Sequence, residues 1–366
     1  MSVAQEAGPP VDVTRPTLTK SVRPRHRPTA WATAALVALL LALCLLSLLI
    51  GSGKTPMGRA LDYLLGDPSA RADAALRLAV VDVRLPRTIA AVLVGTALGV
   101  AGCLLQAVTR NPLAETGLLG VNSGAALGVV IGLTYFDVTS AYGILVWALV
   151  GGMAASAVVL LLAASGRATT SPLRLVLAGS ALGATFHGMT SYVLLGTQST
   201  FDVYRYWTIG SLAGVETRTA LSIAPLIVVG LGIAVGASRP LSALALGDDS
   251  ARALGHHPGR IRLVVAGAVT LLAGAAVALA GPIAFLGLLA PYAARLVTGP
   301  RLAAQLLLSA LVAANVMVAA DIAARVVIRP WETPVSVLLA LIGGPLLIWI
   351  ARTNRMLGLG APGGGA

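Results

Sequence analysis

Residues 81–108 read VDVRLPRTIAAVLVGTALGVAGCLLQAV, and the rest of the chain is interpreted outward from them. After Arg87 this stretch runs for 21 residues without a charge. A helix needs about 20 predominantly apolar residues to cross the hydrocarbon core of a bilayer, so the stretch predicts a membrane-spanning helix. Gly95, Gly99 and Gly102 form a stripe of small residues along it, which allows another helix to approach closely.

The composition of the whole chain supports a membrane protein. Of its 366 residues, 57% are hydrophobic and only 11% are charged, and the mean hydropathy is +0.87. A soluble domain carries about 25% charged residues. The net charge of +12 is spread over loops without interleaved aromatic residues, which argues against a nucleic-acid partner. Cys44 and Cys103 fall in apolar runs and suggest no metal site.

Nine further apolar runs predict an all-α polytopic membrane protein with ten transmembrane helices. A basic tail at 1–28 precedes the membrane domain at 29–352, and a flexible end at 353–366 follows it. The predicted spans are 31–50, 86–108, 117–135, 142–164, 173–196, 219–237, 261–281, 283–297, 302–321 and 335–350.

The distribution of basic residues predicts the orientation. Ten spans place both termini on one side of the membrane, together with 16 of the 26 Lys and Arg residues. Because loops rich in Lys and Arg stay in the cytoplasm, this bias predicts an N-in, C-in protein of the cytoplasmic membrane.

The segment IGSGKT at 50–55 resembles the end of a nucleotide-binding loop but fails the pattern. A P-loop requires a glycine five positions before Gly53, between a strand and a helix. Leu48 occupies that position, at the end of a predicted membrane helix. We therefore expect no nucleotide site in this chain.

Two segments 170 residues apart share a pattern: NPLAETGLLG at 111–120 and GPIAFLGLLA at 281–290. Five predicted spans separate them, and an odd number of spans inverts the topology. The first copy is therefore expected at the cytoplasmic face and the second at the outer face. Inverted repeats of this kind are typical of transporters.

Charged residues near the outer ends of two spans are candidates for binding a partner. Arg84 and Arg87 flank Pro86, and Asp321 and Arg325 are spaced i, i+4, which allows an ion pair on one helix face. Guanidinium groups there could pair with carboxylates of another protein. The alternative is that they are ordinary flanking arginines whose heads reach the membrane surface.

Two further features are candidate sites. The polar loop LGDDSARALG at 246–255 has helical character and could dock into a cytoplasmic protein, or it could be a solvated loop. His187 lies near the middle of the fifth span, where an ionisable residue indicates a functional site, although it could simply be hydrogen-bonded to a neighbouring helix. The aromatic segment 202–212 predicts an interfacial helix with Trp207 at headgroup depth.

Several of these stretches together identify a family. RLPR (84–87), NPLAETGLLGVNSGA (111–125), LGDDSARALG (246–255), GPIAFLGLLAPYAARL (281–296) and ADIAAR (320–325) resemble, in order, the motifs of the FecCD family of ABC importer permeases. The resemblance covers about residues 30–352. These permeases carry iron–siderophores, cobalamin or haem.

The resemblance implies a ten-span subunit that pairs with an identical or paralogous permease around a central pore. Two ATPase subunits would bind on the cytoplasmic side and hold ATP and Mg²⁺, while a solute-binding protein or lipoprotein would dock outside. The permease itself would carry no catalytic residue, cofactor or metal. Iron–siderophore is the family's commonest cargo and is our expectation here.

The resemblance also implies roles for individual residues. Arg84, Arg87 and Arg325 match the arginines that receive the binding protein. Asn111 and Leu113 match positions near the cytoplasmic gate, and the fifth span with His187 lines the pathway. The coupling helix seated in the ATPase matches Gly247, Asp248, Asp249, Ser250, Ala251, Arg252, Ala253, Leu254 and Gly255.

A proton-coupled secondary transporter is the rival interpretation. It would need carboxylates or a proton relay inside the membrane. Every Asp and Glu lies at the end of a predicted span or in a loop, which disfavours this rival. A membrane enzyme is disfavoured too, since no Ser/His/Asp set is evident and the adjacent His256 and His257 cannot share a helix face as metal ligands.

Overall fold

The computed structural model describes residues 27–53, 55–164 and 172–352, and every regular element in these ranges is a helix. The predicted tails at 1–28 and 353–366 lie outside these ranges, apart from residues 27 and 28 at the start of α1. In chain order the α-helices are α1 (Arg27–Leu49), α2 (Met57–Leu65), α3 (Pro68–Arg71), α4 (Ala74–Arg77), α5 (Leu85–Thr109), α6 (Val121–Tyr135), α7 (Ala141–Ala164), α8 (Pro172–Leu195), α9 (Gln198–Ile209), α10 (Thr217–Ala245), α11 (Asp248–Ala253), α12 (Pro258–Ala280), α13 (Leu286–Thr298), α14 (Leu302–Val326) and α15 (Val335–Arg352).

The helices confirm an all-helical, multi-pass membrane protein. Each predicted span overlaps one helix. In the described part of the chain, six helical segments are long and apolar enough to cross a membrane: Thr29–Leu49, Ala74–Thr109, Ala141–Leu162, Thr217–Ala245, Pro258–Ala280 and Leu302–Val326. Three apolar helices are shorter: Val121–Tyr135, Leu286–Thr298 and Val335–Ile350.

Helices α5 and α12 form the centre of the bundle. In the most apolar window of each, 78% of residues are buried, against 6% in α1 at the periphery. The glycine stripe of α5 allows this packing. A Cβ added to Gly99 would lie 2.3 Å from the Ser309 carbonyl oxygen of α14, and one added to Gly102 would lie 1.9 Å from the Gly287 carbonyl oxygen of α13. The predicted close approach at this stripe is confirmed.

Several predicted span boundaries differ from the ends of the helices. The third span was expected to begin at residue 117, but Thr116–Leu119 form a 3₁₀ turn, and Gly120, with φ of 72°, separates it from α6. The sixth span was expected to end at residue 237, but α10 continues to Ala245 with Pro225 and Pro240 inside it. A polar residue ends a hydrophobic run without ending the helix, which continues beyond the hydrocarbon region.

Residues 57–84, between the first two predicted spans, contain structure that the sequence analysis did not assign. The side chains of Asp67 and Asp73 accept hydrogen bonds from the first backbone N–H groups of α3 and α4. These are the N-cap interactions that start short helices. A π-helical turn, Leu78–Arg84, then leads directly into α5 and turns Arg84 into the bundle.

Candidate functional site

Charged side chains gather at the two ends of α5. The helix has 25 residues and is therefore about 37 Å long. Near its first residue lies an arginine cluster, which we define as Arg84, Arg87, Asp321, Arg325 and Glu332. Past its last residue lies a second group, the Asp248 cluster, which we define as Arg110, Asp248 and Arg262.

Two carboxylates hold the arginine cluster together. Arg87 Nε lies 2.6 Å from Asp321 Oδ1, and Arg87 Nη1 lies 2.5 Å from Glu332 Oε2. Arg325 Nη2 contacts the other oxygen of Asp321, which confirms the predicted i, i+4 ion pair. The Asp321 side chain is fully buried, so its charge is compensated by these two guanidinium groups.

Two other arginine donors, Nη1 of Arg84 and Nη1 of Arg325, bond the end of α1. Arg84 Nη1 donates to the carbonyl oxygens of Leu48 and Leu49 at 2.9 and 2.8 Å. Arg325 Nη1 donates to the carbonyl oxygen of Ser47 at 2.9 Å. The last carbonyls of a helix have no partner within the helix. The arginine cluster therefore satisfies the C-terminus of α1 and joins it to α5 and α14.

Gly51 and Ser52 of the segment IGSGKT contact this cluster. A Cβ added to Gly51 would lie 2.7 Å from the Nε and Nη2 atoms of Arg84, so only glycine leaves room for that guanidinium. Ser52 Oγ donates to Glu332 Oε1 at 2.7 Å. The segment thus helps to build the charged cluster, as the exit of the first helix.

The surroundings of Glu332 favour its charged form. Burial, the largest influence, acts to raise the pKa of this carboxyl group, but hydrogen bonds from Ser52 and Arg87 and the charges of Arg87 and Arg325 outweigh it. The pKa of Glu332 is therefore held below its usual value. Glu332 remains a counter-ion of the cluster at neutral pH.

The structure corrects the expected exposure of the candidate docking residues. Arg84, Arg87 and Arg325 retain only 4%, 3% and 1% of their accessible surface, where a docking role suggested exposed side chains. They lie beneath a cavity of about 260 Å³ whose walls include Ser52 and Glu332. The arginines are buried because Asp321, Glu332 and the end of α1 compensate their donors, which sequence spacing revealed only for Asp321.

The Asp248 cluster fixes the short helix α11, whose helical character was predicted. Arg262 Nη2 lies 2.8 and 2.9 Å from the two carboxylate oxygens of Asp248, and the Arg262 side chain is 6% exposed. Arg110 Nη2 lies 3.2 Å from Asp248 Oδ1 and also contacts the Leu244 carbonyl oxygen. Asp248 therefore ties α11 to the start of α12 and to the end of α5. The sequence analysis missed Arg110 and Arg262, whose only signal was a charge next to an apolar run.

The other face of α11 is open. The side chain of Asp249 is 99% exposed and pairs with Arg252 at 2.8 Å. Leu254, just after the helix, is 62% exposed. Gly247 and Gly255, with φ of 125° and 78°, bracket the helix in a conformation that glycine adopts readily. The 246–255 segment is thus an anchored helix with a free outer surface.

The predicted gate residues form a tight turn after α5. Asn111 Oδ1 accepts a hydrogen bond from the Leu113 N–H at 2.9 Å, and Leu113 is 50% exposed. Glu115 Oε1 accepts a bond from the Phe285 N–H at 3.4 Å. Burial raises the pKa of the Glu115 carboxyl group.

The contact between Glu115 and Phe285 joins the two copies of the internal pattern. They were expected at opposite membrane faces, but these matching positions meet. Gly281 ends α12, and the non-helical residues 281–285 lead back into the bundle before α13 begins at Leu286. Phe285 itself has φ of 67°, which is rare for a residue with a side chain.

His187 lies on an exposed face of α8 that also carries Ser191, one turn further along. In the described ranges the exposed His187 side chain makes no hydrogen bond to a neighbouring helix. Its backbone oxygen accepts a bond from Ser191 Oγ at 2.9 Å. Among the residues that the structure describes, no three His, Cys, Asp or Glu side chains group as metal ligands.

Comparison with known proteins identifies similar membrane permeases. A profile of the FecCD transport family matches residues 39–353. The ferric enterobactin transport system permease protein FepD of Escherichia coli (strain K12) is 41% identical over 324 residues, which cover 88% of this chain and 95% of FepD. The Fe(3+)-citrate import system permease protein YfmD of Bacillus subtilis (strain 168) is 37% identical over 77% of this chain and 83% of YfmD.

The fold also matches a solved structure. An inward-facing structure of a metal-chelate type ABC transporter superimposes with a TM-score of 0.77 at 28% identity, over 88% of this chain and 99% of that one. The family profile covers the helical bundle from the middle of α1 to the end of α15, including both ends of α5. The chain therefore belongs to the FecCD transport family.

Proposed function

We propose that this chain is the membrane subunit of an ABC importer that carries a ferric siderophore into the cell. A separate ATPase would bind and hydrolyse ATP with Mg²⁺. The observation that carries the proposal is the anchored helix α11, whose outer face is free while Asp248 is tied to α5 and α12. The similarity to permeases of ferric enterobactin and ferric citrate systems supports the cargo class.

The proposed topology has ten spans with both termini in the cytoplasm. Four of the ten helices in question are short or less apolar, yet each has a matching predicted span. The excess of Lys and Arg on the N-terminal side supports the orientation. With it, α11 faces the cytoplasm and the arginine cluster faces outward, in a multi-pass protein of the cytoplasmic membrane.

The proposed coupling begins at the outer face of α11. Asp249, Arg252 and Leu254 would contact a groove of the ATPase. When ATP binding draws two ATPase subunits together, α11 moves with them. Because Asp248 joins α11 to Arg262 and Arg110, the displacement passes into α12 and α5, the central helices of the bundle. The two central helices can thereby tilt without any reaction being catalysed by this chain.

The proposed partner at the other end is an extracytoplasmic solute-binding protein. Its acidic side chains would meet the outer end of α5, over the cavity above Arg84, Arg87 and Arg325. Three arginines face two carboxylates in this cluster, which leaves a net positive charge. The buried positions of the arginines mean that a partner carboxylate would have to enter the cavity or displace Glu332.

A second permease subunit, identical or paralogous, would complete the pathway. The exposed face of α8 with His187 and Ser191 is the proposed lining. Asn111 and Leu113 lie in the turn after α5, close to the α11 end, where a cytoplasmic gate is expected. Small and weakly polar side chains allow a bulky chelate to pass without tight binding.

Two alternatives remain distinct from this proposal. The same architecture could import cobalamin or haem. A proton-coupled transporter would instead need an unpaired carboxylate within the bundle. Asp321, the fully buried acid, is paired with two arginines, which favours a structural role over proton transfer.

Reconstitution tests the proposal. Proteoliposomes holding the permease, its ATPase and its binding protein should accumulate ⁵⁵Fe-labelled siderophore with ATP and without a proton gradient. Labelled cobalamin and haem are the competing cargoes. Uphill uptake by the permease alone on a proton gradient would overturn the proposed mechanism. Preference for cobalamin or haem would overturn only the cargo.

A further inference from the structure

A crevice between α10 and α12 lies beside α11 and has no role in the proposed transport cycle. Its volume is about 470 Å³. Apolar residues of both helices, among them Ile233, Ala237 and Val264, form its walls. Its mouth carries the positive charge of Arg260, and the imidazole groups of His256 and His257 line the same crevice.

The charges at the mouth are not neutralised by the chain itself. Arg260 is exposed and forms no salt bridge within the described ranges, and no acidic residue lines the crevice. The nearby acids are engaged elsewhere. Asp248 is held by Arg262 and Arg110, and Asp249 pairs with Arg252. The mouth therefore offers positive charge to an external anion.

The crevice lies at the depth of a membrane surface. Helix α10 has 29 residues and is about 43 Å long, whereas the hydrocarbon core is about 30 Å thick. The last turns of α10 and the first turn of α12 therefore reach the headgroup layer. Arg260 lies one turn before Val264 on α12, so the cationic mouth faces the headgroups and the apolar wall begins one turn deeper.

Space for an acyl chain is present along α10. A Cβ added to Gly236, which lines the crevice, would meet nothing within 4 Å. A free phosphate ion would need the cationic mouth but would gain nothing from the walls of Ile233 and Val264. A molecule with an anionic head and an apolar tail matches both parts.

We propose that this crevice binds one anionic phospholipid, with the phosphate at His256, His257 and Arg260 and an acyl chain between α10 and α12. The bound lipid packs directly beside α11 and fills the crevice between the helix that precedes α11 and the helix that follows it. The proposal concerns lipid binding by the chain and does not depend on the cargo or the energy source.

Native mass spectrometry of the full-length chain released from nanodiscs tests the proposal. Phosphatidylglycerol should remain bound at one per chain, and phosphatidylcholine should not. The triple variant His256→Gln, His257→Gln, Arg260→Gln should bind phosphatidylglycerol at least about fivefold more weakly, because basic residues near a membrane surface attract anionic lipid. The matched control is Arg239→Gln, which removes an exposed charge of α10 that does not line the crevice.

A second variant tests the apolar half of the site. Gly236→Leu fills the crevice and leaves His256, His257 and Arg260 in place, so it should abolish retention of phosphatidylglycerol. Glycerophosphoglycerol, the headgroup without acyl chains, should not compete with dioctanoyl phosphatidylglycerol. Equal retention of lipid by the triple variant and the wild type would overturn the proposal. Equal competition by the free headgroup, or equal retention of phosphatidylcholine, would also overturn it.

Discussion

Arg87 and Asp321, which are 234 residues apart in the chain, form a buried ion pair with 2.6 Å between Nε and Oδ1. The pair joins the start of α5 to the end of α14 in an apolar bundle. Because Asp321 also binds Arg325, one carboxylate compensates two buried guanidinium groups. This relationship explains why residues with the features of a docking patch lie inside the protein.

The first prediction concerns this shared carboxylate. Asp321→Asn should lower the free energy of unfolding by about 3–5 kcal/mol, because it leaves the buried Arg325 without a counter-ion and leaves Arg87 with Glu332 alone. Arg87→Gln should cost less, since Arg325 continues to pair with Asp321. Thermal unfolding of the purified variants, followed by tryptophan fluorescence, measures which of the two substitutions destabilises the protein more.

The matched control is Arg59→Gln. Arg59 lies 3.7 Å from Asp73 with both side chains about 40% exposed, and such pairs contribute about 0–1 kcal/mol. Equal destabilisation by Asp321→Asn and Arg59→Gln would contradict the buried network.

The second prediction concerns helix packing. Gly102→Ala should strongly destabilise the protein, because its Cβ would lie 1.9 Å from the Gly287 carbonyl oxygen and a backbone atom cannot rotate away. Overpacking of this kind costs about 1–3 kcal/mol or more. Gly267→Ala in α12 is the control, since its Cβ meets nothing within 4 Å. Expression level and melting temperature should fall for the first variant alone.

The third prediction separates coupling from assembly. Arg262→Gln removes the buried partner of Asp248, so a displacement of α11 should be transmitted less completely to α12. We expect uptake per ATP hydrolysed to fall by about two- to thirtyfold, the range for residues that transmit coupling, while the ATPase still co-purifies. Replacing Asp248–Arg252 with a Gly/Ser linker should uncouple transport completely.

The control for coupling is Arg252→Gln, which disrupts only an exposed pair with Asp249. It removes a charge of the proposed ATPase contact itself but leaves the anchor of α11 intact, so the two effects can be compared. If Arg262→Gln retained the wild-type ratio of uptake to hydrolysis, the path through α12 would be refuted.

The fourth prediction is a pH dependence at Glu115. Burial raises the pKa of this group in the folded protein above its unfolded value, which is about 4.3. The folded state therefore holds the proton more tightly. Wild-type stability should improve, relative to Glu115→Gln, as the pH falls through the raised pKa toward 4.3.

Above the raised pKa the buried carboxylate is charged, and Glu115→Gln should there be the more stable protein. Melting temperatures of both proteins between pH 5 and 8 provide the measurement. Asp249→Asn, at a side chain that is 99% exposed, is the control substitution. A stability difference for Glu115→Gln that does not vary with pH would count against the burial of this carboxylate.

The fifth prediction tests the proposed pathway. His187→Ala should change stability by less than about 0.5 kcal/mol, since the side chain is exposed, and uptake should persist. His187→Trp should block uptake by filling the pathway. Val228→Trp, at an exposed position of α10, should transport normally. Normal uptake by His187→Trp would remove α8 from the pathway.

Much of the fold could be read from apolar runs alone. A single segment that crosses a membrane must satisfy its backbone hydrogen bonds within itself. A long uncharged run such as 88–108 therefore predicts an α-helix. The glycine stripe in this run, the i, i+4 pair of Asp321 and Arg325, and the helical character of α11 were likewise local patterns. The ion pair and the short helix were confirmed because they depend on neighbours within one helix, and the stripe was confirmed because small residues permit close packing of any neighbouring helix.

The candidate site could be predicted only in part. Residue types at 84, 87 and 325 indicated a charged site, but their burial depends on Glu332, on Ser52 and on carbonyl groups at the end of α1. The anchor of α11 depends on Arg110 and Arg262, which are 152 residues apart. No local pattern reports a partner at that distance.

Helix positions and the membrane class thus follow from the order of residues, since they arise from short-range hydrogen bonds and from hydrophobicity summed along a run. Which arginine is buried, which face of α8 is open, and how Glu115 comes to bond Phe285 were settled only by packing. Those features depend on contacts between distant segments. A helix turned about its axis by the angle of one residue would make different contacts, although its sequence would still contain the same apolar run.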